Sequence, residues 1–246
     1  MSLAGTNTLQ WLVAVNRRMP GRRVRLLCCC CLLHFLLPAM AQQKKTVYGV
    51  KVIARTPVKS IRGLSVVTDS ILWASGTGGM VGRSTDGGSH WNWAQVRGCD
   101  SCDWRSLYAF DANKAIVLNA GAPAFIFFTG DGGHSWKQVF YDNRPGVFFD
   151  ALQFFNEQSG IAIGDPLDNK FTVIRTHNGG RSWEADAAAS LPAAAPGEAI
   201  FAASGTSLVT LPGNDVYFAT GGNMARLFTS GTNWKAYTIP AAQGSS

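Results

Sequence analysis

Four charged residues recur at matching places in a chain of which only 15% of residues are charged. Each stands two positions before the apolar residue that opens a predicted strand: Arg62, Arg105, Asp150 and Glu198. Two guanidinium and two carboxylate groups around one opening predict a site that grips a charged ligand or peptide through charge-assisted hydrogen bonds. The alternative is a set of ion pairs that fix one repeat against the next, because structural ion networks also gather charges.

A second candidate for chemistry is the pair Cys99 and Cys102. A redox-active pair with this spacing usually lies at the start of a helix, which lowers the thiol pKa, and no helix is evident here. A zinc site would need a second pair of ligands with suitable spacing, which the sequence lacks. We expect a disulfide that staples a loop, with free thiols as the alternative. No catalytic residue, metal or cofactor is predicted.

These residues are positioned by a repeat. Residues 84–91 read Ser-Thr-Asp-Gly-Gly-Ser-His-Trp, and close copies occupy residues 129–136 and 176–183, with a decayed copy at residues 229–234. Successive tryptophans of the four copies are 45, 47 and 51 positions apart. A fixed period of this size indicates a repeat architecture of one supersecondary unit per copy.

Each copy is predicted to be a tight turn with a structural role. The acidic or amide side chain accepts backbone N–H bonds across the turn, the glycines supply positive φ angles, and the indole packs on the sheet. Single turns on separate units cannot converge on one ligand, so metal or sugar binding at them is the weaker hypothesis. The residues assigned this role are Asp86, Gly88, Trp91, Asp131, Gly133, Trp136, Asn178, Gly180 and Trp183.

Short apolar runs surround every copy. Two strands precede each turn, another lies upstream of them, and a fourth follows the tryptophan, as at residues 107–110, 115–118, 125–128 and 136–141. In the fourth repeat the upstream strand is predicted at residues 200–203. Four antiparallel strands in about 47 residues are typical of one blade of an all-β propeller. We assign residues 48–240 to this domain, with about four blades, and residues 241–246 to a tail.

The first 41 residues are predicted to be a secretory signal peptide. Three arginines at positions 22, 23 and 25 precede an apolar run at residues 26–37, and Ala39 and Ala41 provide the small residues required for cleavage after Ala41. Met19 is an alternative start that gives a shorter leader. An uncleaved anchor is the alternative, although the run is short for a membrane-spanning helix. Cleavage predicts a periplasmic or secreted protein with no stable membrane span.

The net charge of +7 does not indicate a nucleic-acid partner. Five arginines lie in the predicted leader, and without them 17 basic residues face 15 acidic ones. A balance of +2 is no electrostatic footprint for nucleic acid.

The turn sequence resembles the Asp-box, or BNR, repeat of sialidase-like propellers. Together with residues 60–65 and 82–88, it resembles bacterial relatives of the photosystem II stability and assembly factor family. The resemblance covers residues 48–240 and implies a seven-bladed propeller that binds other proteins during assembly. Since about four blades are present, we expect either a truncated reading frame or a partner that closes the ring. Residues 47–54 are predicted to be an unpaired strand that would complete a final blade.

In such a propeller the first strand of each blade lines the central channel. The four charged residues are therefore expected around the channel mouth, on the face opposite the Asp-box turns. The resemblance implies a non-catalytic protein-interaction module. The alternative is a glycan-binding or glycan-cleaving propeller similar to sialidases, which use a tyrosine nucleophile. The Arg-Ile-Pro signature of that family is absent, and although Tyr108 could reach the channel, nothing in the sequence marks it as activated.

Overall fold

The computed structural model describes residue 52 and residues 54–202, 205–231 and 233–240. The predicted leader and its cleavage site, most of the predicted strand at residues 47–54, and the tail at residues 241–246 lie outside these residues. Helical structure in the described part of the chain is confined to two single 3-10 turns, Ala188–Ser190 and Gly205–Ser207. The described residues contain no helix long and apolar enough to cross a bilayer.

Four four-stranded antiparallel sheets follow one another along the chain, as predicted for propeller blades. The first three sheets join neighbours in sequence order. Their strands are β1 Ile61–Val66, β2 Leu72–Gly76, β3 Met80–Ser84 and β4 Asn92–Gln95; β5 Trp104–Ala109, β6 Ala115–Asn119, β7 Ala124–Thr129 and β8 Lys137–Asp142; and β9 Phe149–Phe154, β10 Gly160–Leu167, β11 Lys170–Thr176 and β12 Glu184–Ala185.

The fourth sheet differs from the prediction at its first strand. Its order is β14-β15-β17-β18, and a separate two-stranded ladder joins β13 to β16. The strand predicted at residues 200–203 is wrong for its described residues 200–202, which belong to no strand, and the inner strand is instead split into β13 and β14. The strands are β13 Glu198–Ala199, β14 Leu208–Leu211, β15 Asp215–Ala219, β16 Gly221–Gly222, β17 Arg226–Thr229 and β18 Lys235–Thr238.

Hydroxyl groups tie the inner strands of successive sheets together. The Oγ of Ser65 on β1 accepts a hydrogen bond from the backbone N–H of Ala109 on β5, at 3.1 Å. The Oγ of Ser106 on β5 accepts one from the N–H of Leu152 on β9, at 3.0 Å. Thr210 on β14 donates to the carbonyl of Phe154 at 3.1 Å. These bonds hold β1, β5, β9 and β14 side by side as the inner strands of the four blades.

Apolar side chains fill the spaces between the sheets. Trp73 and Trp104 are buried in one cluster, Ile116 and Phe149 in a second, and the stacked rings of Phe218 and Phe228 anchor a third. Burial of one such side chain stabilises a fold by about 1.5–3 kcal/mol. The four consecutive four-stranded antiparallel sheets, packed against one another through these clusters, confirm the all-β propeller fold class.

The Asp-box turns share one hydrogen-bond pattern. In the second turn, one Asp131 carboxylate oxygen accepts from the Thr129 hydroxyl and the Ser135 backbone N–H, each at 2.9 Å. The Thr129 hydroxyl in turn accepts from the N–H of Gly133 at 3.0 Å. The Gly132 and Gly133 φ angles are +76° and +86°, in the region that favours glycine.

The other two intact turns reproduce this pattern with different side chains. His90 replaces the usual hydroxyl residue, and its Nδ1 lies 2.6 Å from the second carboxylate oxygen of Asp86. In the third turn the Asn178 side-chain oxygen accepts from the N–H of Ser182 at 3.0 Å, and its amide donates to the Ser182 hydroxyl at 2.8 Å. Trp183 is buried, whereas Trp91 and Trp136 are partly buried.

Candidate functional site

The candidate site is a groove of about 310 Å³ along the inner strands β1, β5 and β9. Its charged walls are Arg62 and Arg105, which the sequence placed at matching positions. Gly63 allows the close approach of the strands here, because a Cβ at this position would lie 2.5 Å from the Ser75 Oγ and 2.9 Å from the Leu107 Cβ. The groove therefore combines a tightly packed floor with two cationic walls.

A β-bulge presents each charged residue at the same place in its strand. In β1 the pairing with β2 shifts between Ile61 and Gly63, leaving Arg62 in the irregular position. In β5 the shift falls between Trp104 and Ser106, leaving Arg105. A bulged residue is free of the regular ladder, so its side chain can be aimed away from the alternating pattern.

Asp103 joins the two arginines. Its Oδ1 lies 3.3 Å from Arg62 Nε, and its Oδ2 accepts a 3.1 Å hydrogen bond from Arg105 Nε. All three side chains keep between 27% and 36% of their surface exposed, so solvent reaches them. One carboxylate thus accepts a hydrogen bond from Arg105 and forms an ion pair with Arg62, and its single negative charge neutralises only one of the two guanidinium groups.

Asp150 occupies the corresponding irregular place in β9, where pairing with β10 runs from Phe149 to Ala151. Its side chain is buried, and neither carboxylate oxygen has a hydrogen-bond partner among the described residues. Burial and the negative charge of nearby Asp165 raise the pKa of Asp150 to about 9, against the opposing effect of Arg105. Asp150 is therefore protonated at neutral pH and leaves the positive charge of the groove intact.

Burial likewise raises the pKa of Asp165, which the sequence did not single out. Its Oδ1 accepts a 2.9 Å hydrogen bond from the backbone N–H of Ile200. The buried Asp150 and the partly buried Asp165 therefore interact electrostatically with each other, and Asp150 also interacts with Arg105.

Comparison with known proteins gives one decisive match. Residues 58–242 match the family described as photosynthesis system II assembly factor YCF48. The chain belongs to that family. The resemblance that the Asp-box turns carried is thus confirmed for this YCF48-family chain.

One curated relative and two solved structures are similar to this chain. The photosystem II assembly lipoprotein Ycf48 of Synechococcus sp. (strain CC9902) is 30% identical over 111 residues, covering 45% of this chain and 32% of the relative. YCF48 from Cyanidioschyzon merolae has a TM-score of 0.54 at 16% identity, covering 76% of this chain and 59% of that one. A YCF48 bound to D1 peptide has a TM-score of 0.45 at 17% identity, covering 75% and 69%. This chain therefore spans about a third of the length of the curated relative.

Glu198 does not occupy the position predicted for it in this YCF48-family chain. It pairs directly with Gly222 in the small ladder, whereas Asp150 lies in a bulge one residue after Phe149. Glu198 is therefore not equivalent to Arg62, Arg105 and Asp150, because the inner strand of the fourth blade is split. The Glu198 side chain is fully buried in an ion pair with Arg226 and also accepts a 2.8 Å hydrogen bond from the N–H of Ala195.

The pKa of Glu198 is set by its buried ion pair with Arg226. Burial alone would raise its pKa, but hydrogen bonds from Arg226, Ala195 and Thr220 outweigh burial and lower the pKa. Arg226 was missed from the sequence because its partner lies 28 positions earlier, and no local pattern joins the two.

The remaining candidates lie apart from the groove walls. Tyr108 packs against Phe110 and Phe154, with ring centroids 5.0 and 4.8 Å away, and burial raises its pKa. A raised pKa makes the phenol harder to ionise, the opposite of what a tyrosine nucleophile needs. Cys99 and Cys102 are joined by a disulfide directly before Asp103, so the stapled loop leads into the residue that bridges the two arginines.

Proposed function

We propose that this chain is a non-catalytic assembly module that binds an acidic segment of a protein partner in the groove between Arg62 and Arg105. The observation that carries the proposal is the ion pairing of both arginines with the single carboxylate of Asp103, which leaves two partly exposed guanidinium groups with one unneutralised positive charge. Such groups recognise carboxylates through charge-assisted hydrogen bonds. Membership in an assembly-factor family supports a protein partner.

The protonated state of Asp150 supports the same proposal. An ionised carboxylate behind Arg105 would cancel the remaining positive charge, but the pKa of about 9 keeps this group neutral. Glycan cleavage is less well supported, because Tyr108 is committed to aromatic packing.

The test measures binding of a fluorescent D1 peptide by anisotropy, using the full chain. D1 peptide is chosen because a YCF48 structure contains it. We expect Arg62→Ala with Arg105→Ala to weaken binding at least tenfold, since a hydrogen bond to a charged group contributes about 1.5–3 kcal/mol. The matched control is Arg144→Ala with Arg181→Ala, which removes the same charge elsewhere and should bind like the wild type.

Equal loss in both double variants would show that only net charge matters, and wild-type binding by the Arg62 and Arg105 variant would refute the groove. Rising salt should weaken wild-type binding more than binding by the groove variant. Salt screens the attraction of Arg62 and Arg105 for the peptide, and the variant lacks both charges.

We further propose that the chain acts after export, with residues 1–41 removed. The support is the order of arginines, apolar run and small residues that ends at Ala41. Amino-terminal sequencing of the protein recovered from its native host should begin at Gln42. A mature protein that retains the arginines at positions 22, 23 and 25 would contradict the proposal.

A further inference from the structure

A second cavity lies between the first two blades, away from the groove. It has a volume of about 90 Å³ and is lined by Arg83 and Trp73 of the first blade and by Gly132 and Trp136 of the second. This volume is well below the roughly 300–1,000 Å³ of pockets for drug-sized ligands. The cavity is therefore suited to a small group rather than to a sugar ring.

Arg83 is held in this cavity on one side. Its Nη1 donates a 2.7 Å hydrogen bond to the carbonyl of Ala112, and its guanidinium lies 5.8 Å from the centre of the Trp73 ring. A Cβ at Gly132 would lie 1.9 Å from the same Nη1, so the turn glycine makes room for the guanidinium. These contacts fix the plane and position of the charged group.

The other edge of the guanidinium is unused. The Arg83 Nε is shielded from solvent and has no hydrogen-bond partner among the described residues, and no carboxylate of the described part of the chain forms an ion pair with Arg83. Nε and Nη2 form the side-on edge that binds both oxygens of a carboxylate. A partly buried guanidinium with a shielded, unpaired donor is costly unless an acceptor is supplied.

The third blade shows how an acceptor for such an arginine is supplied. Arg175 immediately precedes the Asp-box turn of that blade, as Arg83 does in the first blade, and its Nε lies 3.1 and 3.0 Å from the two carboxylate oxygens of Asp186. Arg175 pairs with Glu184, two residues before Asp186, and Arg83 pairs with Asn92, two residues before Ala94. Ala94 therefore stands where the third blade carries the carboxylate, and it lines the cavity.

We propose that the cavity between Arg83 and Ala94 binds a carboxylate that the first blade does not itself provide. The ligand is either a free small carboxylate or an acidic group of a partner chain, bound side-on by Arg83. This site is independent of the groove at Arg62 and Arg105, so either proposal can fail without the other.

The experiment follows the Nε–H resonance of Arg83 by ¹H–¹⁵N NMR in the full chain. The probes are sodium acetate, sodium chloride at equal ionic strength, and two peptides with blocked termini that carry a central Glu or Gln. We expect a saturable shift with acetate, with the Glu peptide or with both, and none with chloride or the Gln peptide. Acetate alone would identify a free carboxylate, and the Glu peptide alone a partner side chain.

Two variants make the test specific. Ala94→Asp supplies the missing carboxylate within the chain and should abolish the saturable shift, and Arg83→Gln should weaken binding at least tenfold, as measured by calorimetry. The control Ala236→Asp makes the same change at another exposed strand position and should leave binding unchanged. The proposal is overturned if wild-type protein shows no saturable shift with either carboxylate probe, or if Ala94→Asp responds like the wild type. Because Ala94 is exposed, this variant keeps the test valid even if Arg83→Gln does not fold.

Discussion

The Nε of Arg226 donates a 2.9 Å hydrogen bond to Oε1 of Glu198, whose side chain has no solvent exposure. The pair connects the short ladder strand β13 to the start of β17 within the fourth blade. Two parts of the chain that are distant in sequence are thus joined by a buried charge pair.

Removing one partner of this pair should be costly. Arg226→Met leaves the Glu198 charge buried without its counter-ion, and loss of one partner of a buried pair typically costs about 3–5 kcal/mol. The measurement is the free energy of unfolding in urea at pH 7. Arg144→Met is the control, because the Arg144–Asp142 pair has an arginine that is 54% exposed and should contribute about 0–1 kcal/mol. Equal losses in the two variants would argue against a special role for burial.

Asp150→Asn should stabilise the protein at neutral pH. Since the pKa of Asp150 is raised to about 9, the folded state binds a proton more tightly than the unfolded state, whose carboxyl titrates near 4. The contribution of this group to stability is full below about pH 4 and is lost as the pH rises toward 9. The gain from the asparagine should therefore grow from pH 4 to pH 9 in thermal unfolding curves. A gain that is independent of pH would contradict the assignment.

The second Asp-box turn should tolerate an amide but not the loss of its acceptor. Hydrogen bonds from Ser135 are the main reason that the pKa of Asp131 is lowered to about 2. Its stabilising effect is thus present above pH 4 and is lost as the pH falls toward 2. Asp131→Asn should keep the turn, as Asn178 does in the third blade, and should flatten the acid limb of the stability profile. Asp131→Ala should lower the melting temperature at pH 7, and an equal fall in both variants would exclude the amide as a substitute.

Two glycine substitutions separate backbone strain from packing. Gly78 has a φ of +72° with open space where a Cβ would lie, and Gly180 has a φ of +79° with Ile116 Cδ1 only 2.0 Å from the position of a Cβ. Alanine at either place adopts a left-handed conformation at a cost of about 1–2 kcal/mol. Gly180→Ala should lose about 1–3 kcal/mol more, because the added methyl overpacks the core. Urea unfolding of both variants measures the difference.

The fold was predictable because its signals are local. The side chains of the turn at residues 129–136 supply its hydrogen bonds, and the apolar runs on either side alternate with turn residues. The number and order of strands in the first three blades therefore followed from the sequence. The split inner strand of the fourth blade was not predictable, because the sequence of residues 200–203 is as apolar as that of a strand, and only the pairing of β14 with β15 shows where the inner strand resumes.

The candidate site was predictable in part. Arg62 and Arg105 were found by their equal places in the repeat, and the structure lines one groove with both. Asp103 was missed even though it stands two residues before Arg105, because its role depends on contact with the preceding blade. Arg83 was missed for a similar reason: its significance lies in the difference between Ala94 and Asp186, which is visible only when strand pairing aligns the first and third blades.

The order of strands within each sheet also bears on how the chain folds. In the first three blades every ladder joins strands that are consecutive in sequence, so a blade can complete its hydrogen bonds before the next one is synthesised. Short-range pairing of this kind lowers contact order, which favours rapid folding. The fourth blade must instead bring β13 across to β16 around the intervening β14 and β15. We therefore expect the slowest step of folding to be the formation of the β13–β16 ladder in the fourth blade.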